Sequence, residues 1–141
     1  QHLATEFVSM MEKEFQRPPL PAIALTTDTS FLTAFSNDFG YERVFERQVQ
    51  AHGKPGDVLI GISTSGNSPS VLCAVEAAHG LGMKTIGLTG SGGRLASIAD
   101  VTISIPSSDT QQIQETHLAV EHILCDLVEC HLFNKAELPG T

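Results

Sequence analysis

The stretch Gly56–Ser70, GDVLIGISTSGNSPS, carries the clearest structural signal in this chain. Its apolar run from Val58 to Ile62 has the length and composition of a strand that is buried on both faces. The run ends in short hydroxyl side chains with Gly66 among them, and Pro69 then suits the first turn of a helix. The stretch therefore predicts a buried parallel strand, a polar loop and a helix, in that order.

The same alternation of short apolar runs and amphipathic segments extends along the chain. The predicted strands are Ala22–Thr26, Val58–Ser63, Thr85–Thr89 and Val101–Ile105, the last of them nearer an edge. The predicted helices are Gln1–Lys13, Tyr41–Ala51, Ser68–Leu81 (with Ser68 as its N-cap) and Gln111–Phe133. This alternation predicts an α/β fold, a three-layer α/β/α sandwich with a mostly parallel sheet, as one domain over residues 1–141.

Composition narrows the class of protein and its partners. A length of 141 residues suffices for one core, and the formal net charge of −8 argues against nucleic acid held by a basic face. No apolar run approaches the length of a membrane span. Three cysteines (Cys73, Cys125 and Cys130) lie in apolar helical patterns and predict reduced thiols in a cytoplasmic protein. A metal site at Cys125, Cys130 and His131 is the competing interpretation, although it lacks a paired CxxC knuckle.

The polar loop after Val58–Ile62 has the composition of a phosphate site. Ligands of open α/β sheets bind at the carboxyl ends of strands, where a helix N-terminus offers unpaired N–H groups. Gly66 would let the backbone approach an anion, and the hydroxyl donors are Ser63, Thr64, Ser65 and Ser68. The loop is not a Walker A motif, because it lacks the GK[ST] ending. The alternative is a capped strand-to-helix turn, for which one hydroxyl would suffice.

A second glycine-rich turn, Gly90–Arg94, follows the strand predicted at Thr85–Thr89. It approaches the GxGxxG fingerprint of nicotinamide-cofactor sites, but Leu95 stands where the last glycine belongs. A plain turn before a short helix is therefore the prediction.

Polar residues at helical spacing form a second group of candidates. His2 and Glu6 are four residues apart, so a helix would place them on one face. That spacing suits two ligands of one metal, a base with its orienting partner, or a solvated surface pair. In the long C-terminal helix, Gln114, His117 and His122 are polar positions among apolar ones. Such a residue, taken singly, is most often a satisfied core or interface group.

Four motifs together carry a resemblance to a known family over nearly the whole chain. They are LTTDTS (Leu25–Ser30), NDFGYE (Asn37–Glu42), GISTSGNSPSV (Gly61–Val71) and IQETH (Ile113–His117). The chain resembles the sugar-isomerase (SIS) domain and, more narrowly, the bacterial sedoheptulose 7-phosphate isomerase (phosphoheptose isomerase) family. In that family QHxxxE directly follows a phosphate-binding GNGGS turn, whereas this chain opens with QHLATE. We therefore expect an upstream helix, a first strand and the GNGGS loop to be missing from the sequence.

The resemblance implies roles for individual residues. The positions that match Glu6 and His122 are the catalytic base and acid of the family. One zinc ion per site is bound, in members that carry it, at the positions matching His2, Glu6, Gln114 and His122. His117 matches another histidine of the site.

Substrate contacts are also implied. In the polar loop of residues 63–68 (the serine loop) they are expected at Ser63, Thr64, Ser65 and Ser68. Four further contacts are expected at Asn37, Asp38, Thr110 and Gln114. Gln111 stands where some family members have an aspartate. Gln114 and His122 are eight residues apart, roughly 12 Å along a helix axis. Ligands from different protomers would bind one metal without strain, and the resemblance implies a homotetramer with active sites at subunit interfaces.

The activity implied is an aldose–ketose isomerisation of a sugar phosphate through an enediol. The substrate is sedoheptulose 7-phosphate, and the product is D-glycero-D-manno-heptose 7-phosphate for lipopolysaccharide or other surface glycans. The serine loop would hold the distal phosphate and so position the reacting carbons against Glu6. The alternative is a non-catalytic relative that binds the replication initiator. A sugar-phosphate sensing domain is a third hypothesis, disfavoured because no DNA-binding segment is attached.

Overall fold

The computed structural model describes residues 1–133, which form two compact units. Unit one contains Gln1–Thr27 and the described residues from His117 onward, and unit two contains Asp28–Thr116. The elements in chain order are α1 (His2–Val8), α2 (Thr29–Phe39), a 3₁₀ turn (Tyr41–Arg43), α3 (Val44–His52), β1 (Val58–Ser63), α4 (Pro69–Gly80), β2 (Lys84–Thr89), α5 (Leu95–Ile98), β3 (Val101–Ser104) and α6 (Thr110–Phe133). The assignment of all 141 residues to one domain stays a prediction.

A parallel sheet with the strand order β1-β2-β3 forms the framework of unit two. Its register pairs Gly61 with Gly87 and Ser63 with Thr89, so β1 and β2 end level with each other. The three strands predicted here are confirmed to within one residue at each end, and β3 lies at an edge as expected. The α/β class and the parallel sheet are thus confirmed.

Helices α4 and α5 pack on one face of this sheet. Gly61 and Gly87 make the approach possible, because a Cβ on either would lie only 3.0 Å from a Val71 or Leu95 side-chain carbon. Residues Leu72, Val75 and Leu95 form the buried cluster between the layers. Each such burial contributes about 1.5–3 kcal/mol, so the start of α4 is firmly fixed against the ends of the strands.

The strand predicted at Ala22–Thr26 is wrong. This segment is irregular, with a turn at Leu25 and Thr26, and Ile23 is 68% exposed. A strand is stabilised by hydrogen bonds to a neighbouring strand, and the sheet found among residues 1–133 contains only β1, β2 and β3. An apolar run without such a partner does not form a strand.

The helix predicted over Gln1–Lys13 is shorter than expected and ends at Val8. Continuation would require the carbonyls of Glu6 and Phe7 to accept from the amides four residues later. Instead, both carbonyls accept from the side chain of Arg17. Ser9, at ψ −108°, has already left the helical region.

Helix α2 was not predicted, although its boundary signals are present in the sequence. Asp28 caps its N-terminus by accepting from the Phe31 amide at 2.9 Å, and Gly40 ends it at φ +85°. The predicted helix Tyr41–Ala51 divides into the 3₁₀ turn and α3, while Ser68–Leu81 and Gln111–Phe133 are confirmed as α4 and α6. Within residues 1–133 we find no helix that combines the length and apolarity needed to cross a bilayer.

Candidate active site

The serine loop, residues 63–68, connects β1 to α4 in unit two. Ser63 is 6% exposed, and its Oγ lies 2.9 Å from Ser68 Oγ and 3.5 Å from Ser65 Oγ. Ser68 takes the N-cap position of α4, but its hydroxyl bonds to Ser63 and does not cap the helix. Ser68 is therefore at the predicted N-cap position, but the prediction that its side chain caps the helix is wrong. The structure instead gathers three of the four predicted hydroxyls around the end of β1.

The turn Gly90–Arg94 supports the serine loop from the side. Gly66 adopts φ +65°, and a Cβ there would collide with the Gly92 carbonyl oxygen and the Thr89 hydroxyl. The Leu95 amide donates to the Gly66 carbonyl at 2.8 Å. The prediction of a turn before a short helix is confirmed, and this turn also fixes the backbone of the serine loop.

Asn67 joins the two loops through its side chain, a role that the sequence did not reveal. Its Oδ1 accepts from the Arg94 amide at 2.9 Å, and its Nδ2 donates to the Ser65 carbonyl at 3.0 Å. Asparagine can make both bonds because its amide is a donor and an acceptor. The signal was available, since a side chain of this type within a tight loop often bonds to nearby backbone.

The other predicted substrate contacts are all exposed residues of unit two. Asn37 and Asp38 lie in the last turn of α2, where Asn37 Nδ2 donates to Asp38 Oδ1 at 2.9 Å. Thr110 is the first residue of α6, and Gln114 follows one turn later. The beginning of α6 packs beside the Gly90–Arg94 turn, because a Cβ on Gly90 would meet a side-chain carbon of Ile113. The roles of these four predicted substrate contacts stay predictions.

A cavity of about 380 Å³ adjoins the serine loop. Its lining residues are Tyr41, Glu42, Phe45, Ile62, Ser68, Pro69, Ser70 and Val71. This volume lies within the roughly 300–1,000 Å³ of small-molecule sites. Glu42 and Ser68 supply polar groups on an otherwise mostly apolar wall, and sequence reasoning had not singled out Tyr41 or Glu42 as site residues.

Unit one brings together His2, Glu6 and His122. The Nε2 atoms of the two histidines lie 2.7 Å apart, and their rings meet edge to face at 74°. The other ring nitrogen of His2, Nδ1, faces the Glu6 carboxylate at 3.9 Å. The predicted base and the predicted acid thus lie at the two ring nitrogens of one imidazole.

The donor types in this cluster suit a zinc ion. Zinc binds imidazole nitrogens at about 2.0–2.1 Å, so two ligands of a tetrahedral site lie roughly 3.3 Å apart. The two Nε2 atoms, at 2.7 Å, bond to each other here and would have to move apart to bind the ion. Glu6 faces the remote nitrogen of His2, which is where a carboxylate orients a metal-bound histidine. Within residues 1–133, no three His, Cys, Asp or Glu side chains are gathered closely enough to hold a metal, neither His2, Glu6 and His122 nor the alternative set Cys125, Cys130 and His131. The zinc site therefore stays a prediction.

Cysteine chemistry does not account for this cluster. All three cysteines are free, but of the buried thiols expected from the sequence only Cys125 is buried, while Cys73 and Cys130 are partly exposed. Burial, together with a smaller contribution from the nearby Glu6 carboxylate, raises the pKa of the Cys125 thiol to about 11. Cys125 is therefore protonated near neutral pH and is neither a nucleophile nor a thiolate ligand. His117, in the same unit, is 3% exposed, and its role stays a prediction.

Arg17 lies behind the cluster and was also missed from the sequence. Its side chain is buried, bonds to Glu129 and donates to backbone carbonyls at the end of α1. An arginine next to a run of prolines reads as a loop residue, and nothing local indicates that it is buried.

Comparison with known proteins identifies the family. The model of the SIS domain matches residues 1–90. The chain is 57% identical over 136 residues to a phosphoheptose isomerase of Roseiflexus sp. (strain RS-1), covering 96% of this chain and 68% of that protein. It is 58% identical over 134 residues to the one from Maridesulfovibrio salexigens, covering 94% and 64%.

Solved structures agree with this result. The phosphoheptose isomerase from Francisella tularensis superposes with a TM-score of 0.85 at 45% identity, covering 91% of this chain and 68% of its own. The enzyme from Neisseria gonorrhoeae gives 0.84 at 47% identity, covering 92% and 68%. The chain thus spans about two thirds of the length of these relatives. It belongs to the SIS domain family and, within that family, to the phosphoheptose isomerases.

Proposed function

We propose that the protein is a sedoheptulose 7-phosphate isomerase that forms D-glycero-D-manno-heptose 7-phosphate through a cis-enediol. The observation that carries this proposal is the cluster of unit one, in which His2 lies between the carboxylate of Glu6 and the imidazole of His122. Its family membership supports the same reaction. An aldose–ketose isomerisation needs one carboxylate-type base and one acid near adjacent carbons.

Glu6 is the proposed base. It takes a proton from one carbon of the sugar and returns it to the neighbouring carbon on the same face. His122 is the proposed acid, which supplies a proton to the carbonyl oxygen as the enediol forms and takes a proton back from the neighbouring hydroxyl as the new carbonyl forms. His2 orients both groups, since one of its ring nitrogens faces Glu6 and the other bonds to His122.

The serine loop is the proposed phosphate site. Its clustered hydroxyls at Ser63, Ser65 and Ser68 are short donors on a backbone that the Gly90–Arg94 turn holds in place. A phosphate bound there by several charge-assisted hydrogen bonds would be fixed without participating in bond-making. The loop accordingly contributes to substrate affinity and orientation. We expect the further contacts to come from Asn37, Asp38, Thr110 and Gln114.

We infer that zinc is the cofactor. His2 and His122 would supply imidazole ligands, with Glu6 as a further ligand or as the group that orients His2, and Gln114 stays the predicted fourth ligand. When bound, zinc would stabilise the negative charge that develops on the enediolate oxygens. The presence of two imidazoles and a carboxylate next to one another supports this proposal.

We also propose that the protein is a homotetramer with active sites at its subunit interfaces. We propose that it works in the cytoplasm, where it would supply heptose for surface glycans. Helix α6 leaves several large apolar side chains about half exposed: Leu118 (46%), Ile123 (56%), Leu127 (58%) and Leu132 (54%). Ile123 and Leu127 are four residues apart and share a face. Burying such a face against another protomer would be favourable.

The hypothesis of a non-catalytic regulator that binds the replication initiator is not favoured. The relatives described above are phosphoheptose isomerases. The sensing-domain hypothesis has no observation in its favour.

A coupled assay with sedoheptulose 7-phosphate tests the proposal. The wild-type protein should turn the substrate over, and Glu6→Gln should lower kcat by about 10²–10⁴-fold, which is the usual contribution of a general base. Glu14→Gln, which removes an exposed carboxylate from the same segment, should leave turnover unchanged. An inert wild-type protein that binds the replication initiator tightly would overturn the proposed function.

A further inference from the structure

Arg17 and Glu129 form a fully buried ion pair in unit one. Arg17 Nε donates to Glu129 Oε1 at 2.6 Å, and the two side chains are 1% and 0% exposed. Taking both charges out of water is costly, so such a pair is not by itself a reason for stability. A well-packed apolar pair would often stabilise the fold equally well, so this ion pair is expected to have a role other than stability.

The remaining donors of Arg17 bond to backbone. Nη2 donates to the Glu6 carbonyl at 2.7 Å, and Nη1 donates to the carbonyls of Phe7 and Pro18 at 2.9 and 3.1 Å. The carbonyls of Glu6 and Phe7 belong to the last turn of α1. Such carbonyls have no partner within the helix, so the bonds from Arg17 stabilise the C-terminal end of α1.

The ion pair also connects the two helices that carry the proposed catalytic pair. Glu129 lies on α6, seven residues beyond His122, and two turns separate these positions on one face. Arg17 therefore links the backbone of Glu6 on α1 to the helix of His122 through a single planar group. The guanidinium also lies 5.8 Å from the ring centre of Phe133, which limits its movement.

We propose that Arg17, held by Glu129, is a positioning residue that fixes Glu6 and His2 relative to His122. This inference rests on the proposed function, because it assigns Glu6 and His122 the proton-transfer roles. Arg17 does not touch the reacting group; it acts by determining where α1 ends and how it lies against α6. Lysine cannot replace it, since an ammonium group cannot reach the carboxylate and both carbonyls with the geometry of a planar fork.

The test separates positioning from stability. Arg17→Lys keeps the charge, whereas Arg17→Met removes the cation bonded to the buried Glu129 carboxylate and should lower the melting temperature strongly. The double variant Arg17→Met with Glu129→Met removes both charges and should recover most of that loss. Val75→Ala, in the core of unit two, serves as a control that destabilises the protein without touching α1. Melting temperature, kcat and KM are measured for each protein.

We expect Arg17→Lys and the double variant to lose about 10- to 100-fold in kcat with KM within twofold of wild type, because small displacements of a catalytic group cost that much. Val75→Ala should retain kcat below its melting temperature. The inference is overturned if the double variant regains kcat together with its melting temperature. It is equally overturned if Arg17→Lys turns over like the wild type.

Hydrogen exchange of the α1 amides provides a readout that does not depend on activity. The Ser9 amide, which donates to the Thr5 carbonyl at 2.8 Å, should exchange faster in the double variant, while the β2 amides stay protected. An inert wild-type protein would refute the proposed function but would leave this measurement intact. Unchanged protection of Ser9 would then overturn the positioning role of Arg17, and lost protection would support it.

Discussion

The Nε2 atom of His2 lies 2.7 Å from the Nε2 atom of His122, although 120 positions separate them in sequence. One of these nitrogens donates and the other accepts, so at least one of the two rings is neutral in this arrangement. A bond between such distant residues ties the short helix α1 to α6. Each imidazole therefore positions the other, and substituting either one tests its role.

Replacing His122 by glutamine should abolish proton delivery while keeping a polar side chain of similar size. We expect kcat to fall by about 10²–10⁴-fold, with affinity for the sugar phosphate largely retained. The coupled assay and binding of the substrate by calorimetry measure the two effects. His131→Gln, an exposed position in the last turn of the same helix, is the matched control and should behave like the wild type. Full activity of His122→Gln would remove His122 from the role of acid.

Metal content tests the two imidazoles as ligands. His2→Ala should lower the amount of zinc retained per protomer after dialysis, because a metal site loses most of its affinity with one of its ligands. His52→Ala, at the exposed end of α3, should retain as much metal as the wild type. Metal analysis of purified protein measures this directly. Equal zinc in wild type and His2→Ala would exclude His2 as a ligand.

Ser63 connects three hydroxyls at the end of β1, so its removal should weaken phosphate binding. Ser63→Ala should raise KM for the sugar phosphate by about tenfold, since a hydrogen bond to a charged group contributes about 1.5–3 kcal/mol. The value of kcat should change less than KM, because the loop is proposed to bind the phosphate and takes no part in bond-making. Inhibition by inorganic phosphate should weaken in parallel. Ser97→Ala, which removes a hydroxyl that donates to the Arg94 carbonyl at 2.8 Å, should leave KM unchanged.

Structural features that depend on neighbouring residues could be predicted from the sequence, whereas features that depend on contacts between distant residues could not. β1 and the turn before α5 follow from short-range patterns, and both were predicted. The segment Ala22–Thr26 resembles a strand equally well, but whether a strand forms depends on a neighbouring strand that the local sequence does not specify. The end of α1 likewise depends on Arg17, whose side chain reaches back to Glu6 and Phe7.

The same distinction between local and distant causes applies to the candidate site. The hydroxyls of the serine loop can be read from the sequence, whereas the bond of Ser68 to Ser63 in place of a helix cap depends on how the loop folds. The pairing of Arg17 with Glu129 spans 112 positions and has no local signal. Glu6 and His122 were selected through a family resemblance, because neither residue is distinctive within its own helix.

Gly66 allows a test of the contact between the two loops. Gly66→Ala must place a Cβ at φ +65°, which costs about 1–2 kcal/mol, and must also displace the carbonyl of Gly92. Gly56→Ala is the matched control, because Gly56 has φ +91° but nothing within 4 Å of the added Cβ. We expect Gly66→Ala to lose more stability than Gly56→Ala in thermal unfolding, and to raise KM as well. Equal effects of the two substitutions would show that the turn does not support the serine loop.

Asp100 provides a prediction about pH. The hydroxyl and the amide of Thr85 both donate to its carboxylate, at 2.8 and 2.9 Å, and hold its pKa below the ordinary value of 3.8. Lys84 and His79 nearby act in the same direction. Because the folded state favours the ionised form, Asp100 contributes stability above pH 3.8, and this contribution is lost as the pH falls through its lowered pKa.

Asp100→Asn should therefore melt at a lower temperature than the wild type near pH 7, with the difference shrinking steadily as the pH falls below about 4. The asparagine still accepts one hydrogen bond, so the protein should stay folded and the comparison should be clean. Glu115→Gln, at an exposed position of α6, should show a small difference at every pH. Melting curves by circular dichroism between pH 3 and 8 measure both. A difference for Asp100→Asn that stays constant over this range would show that the ionised carboxylate does not stabilise the link between β2 and the start of β3.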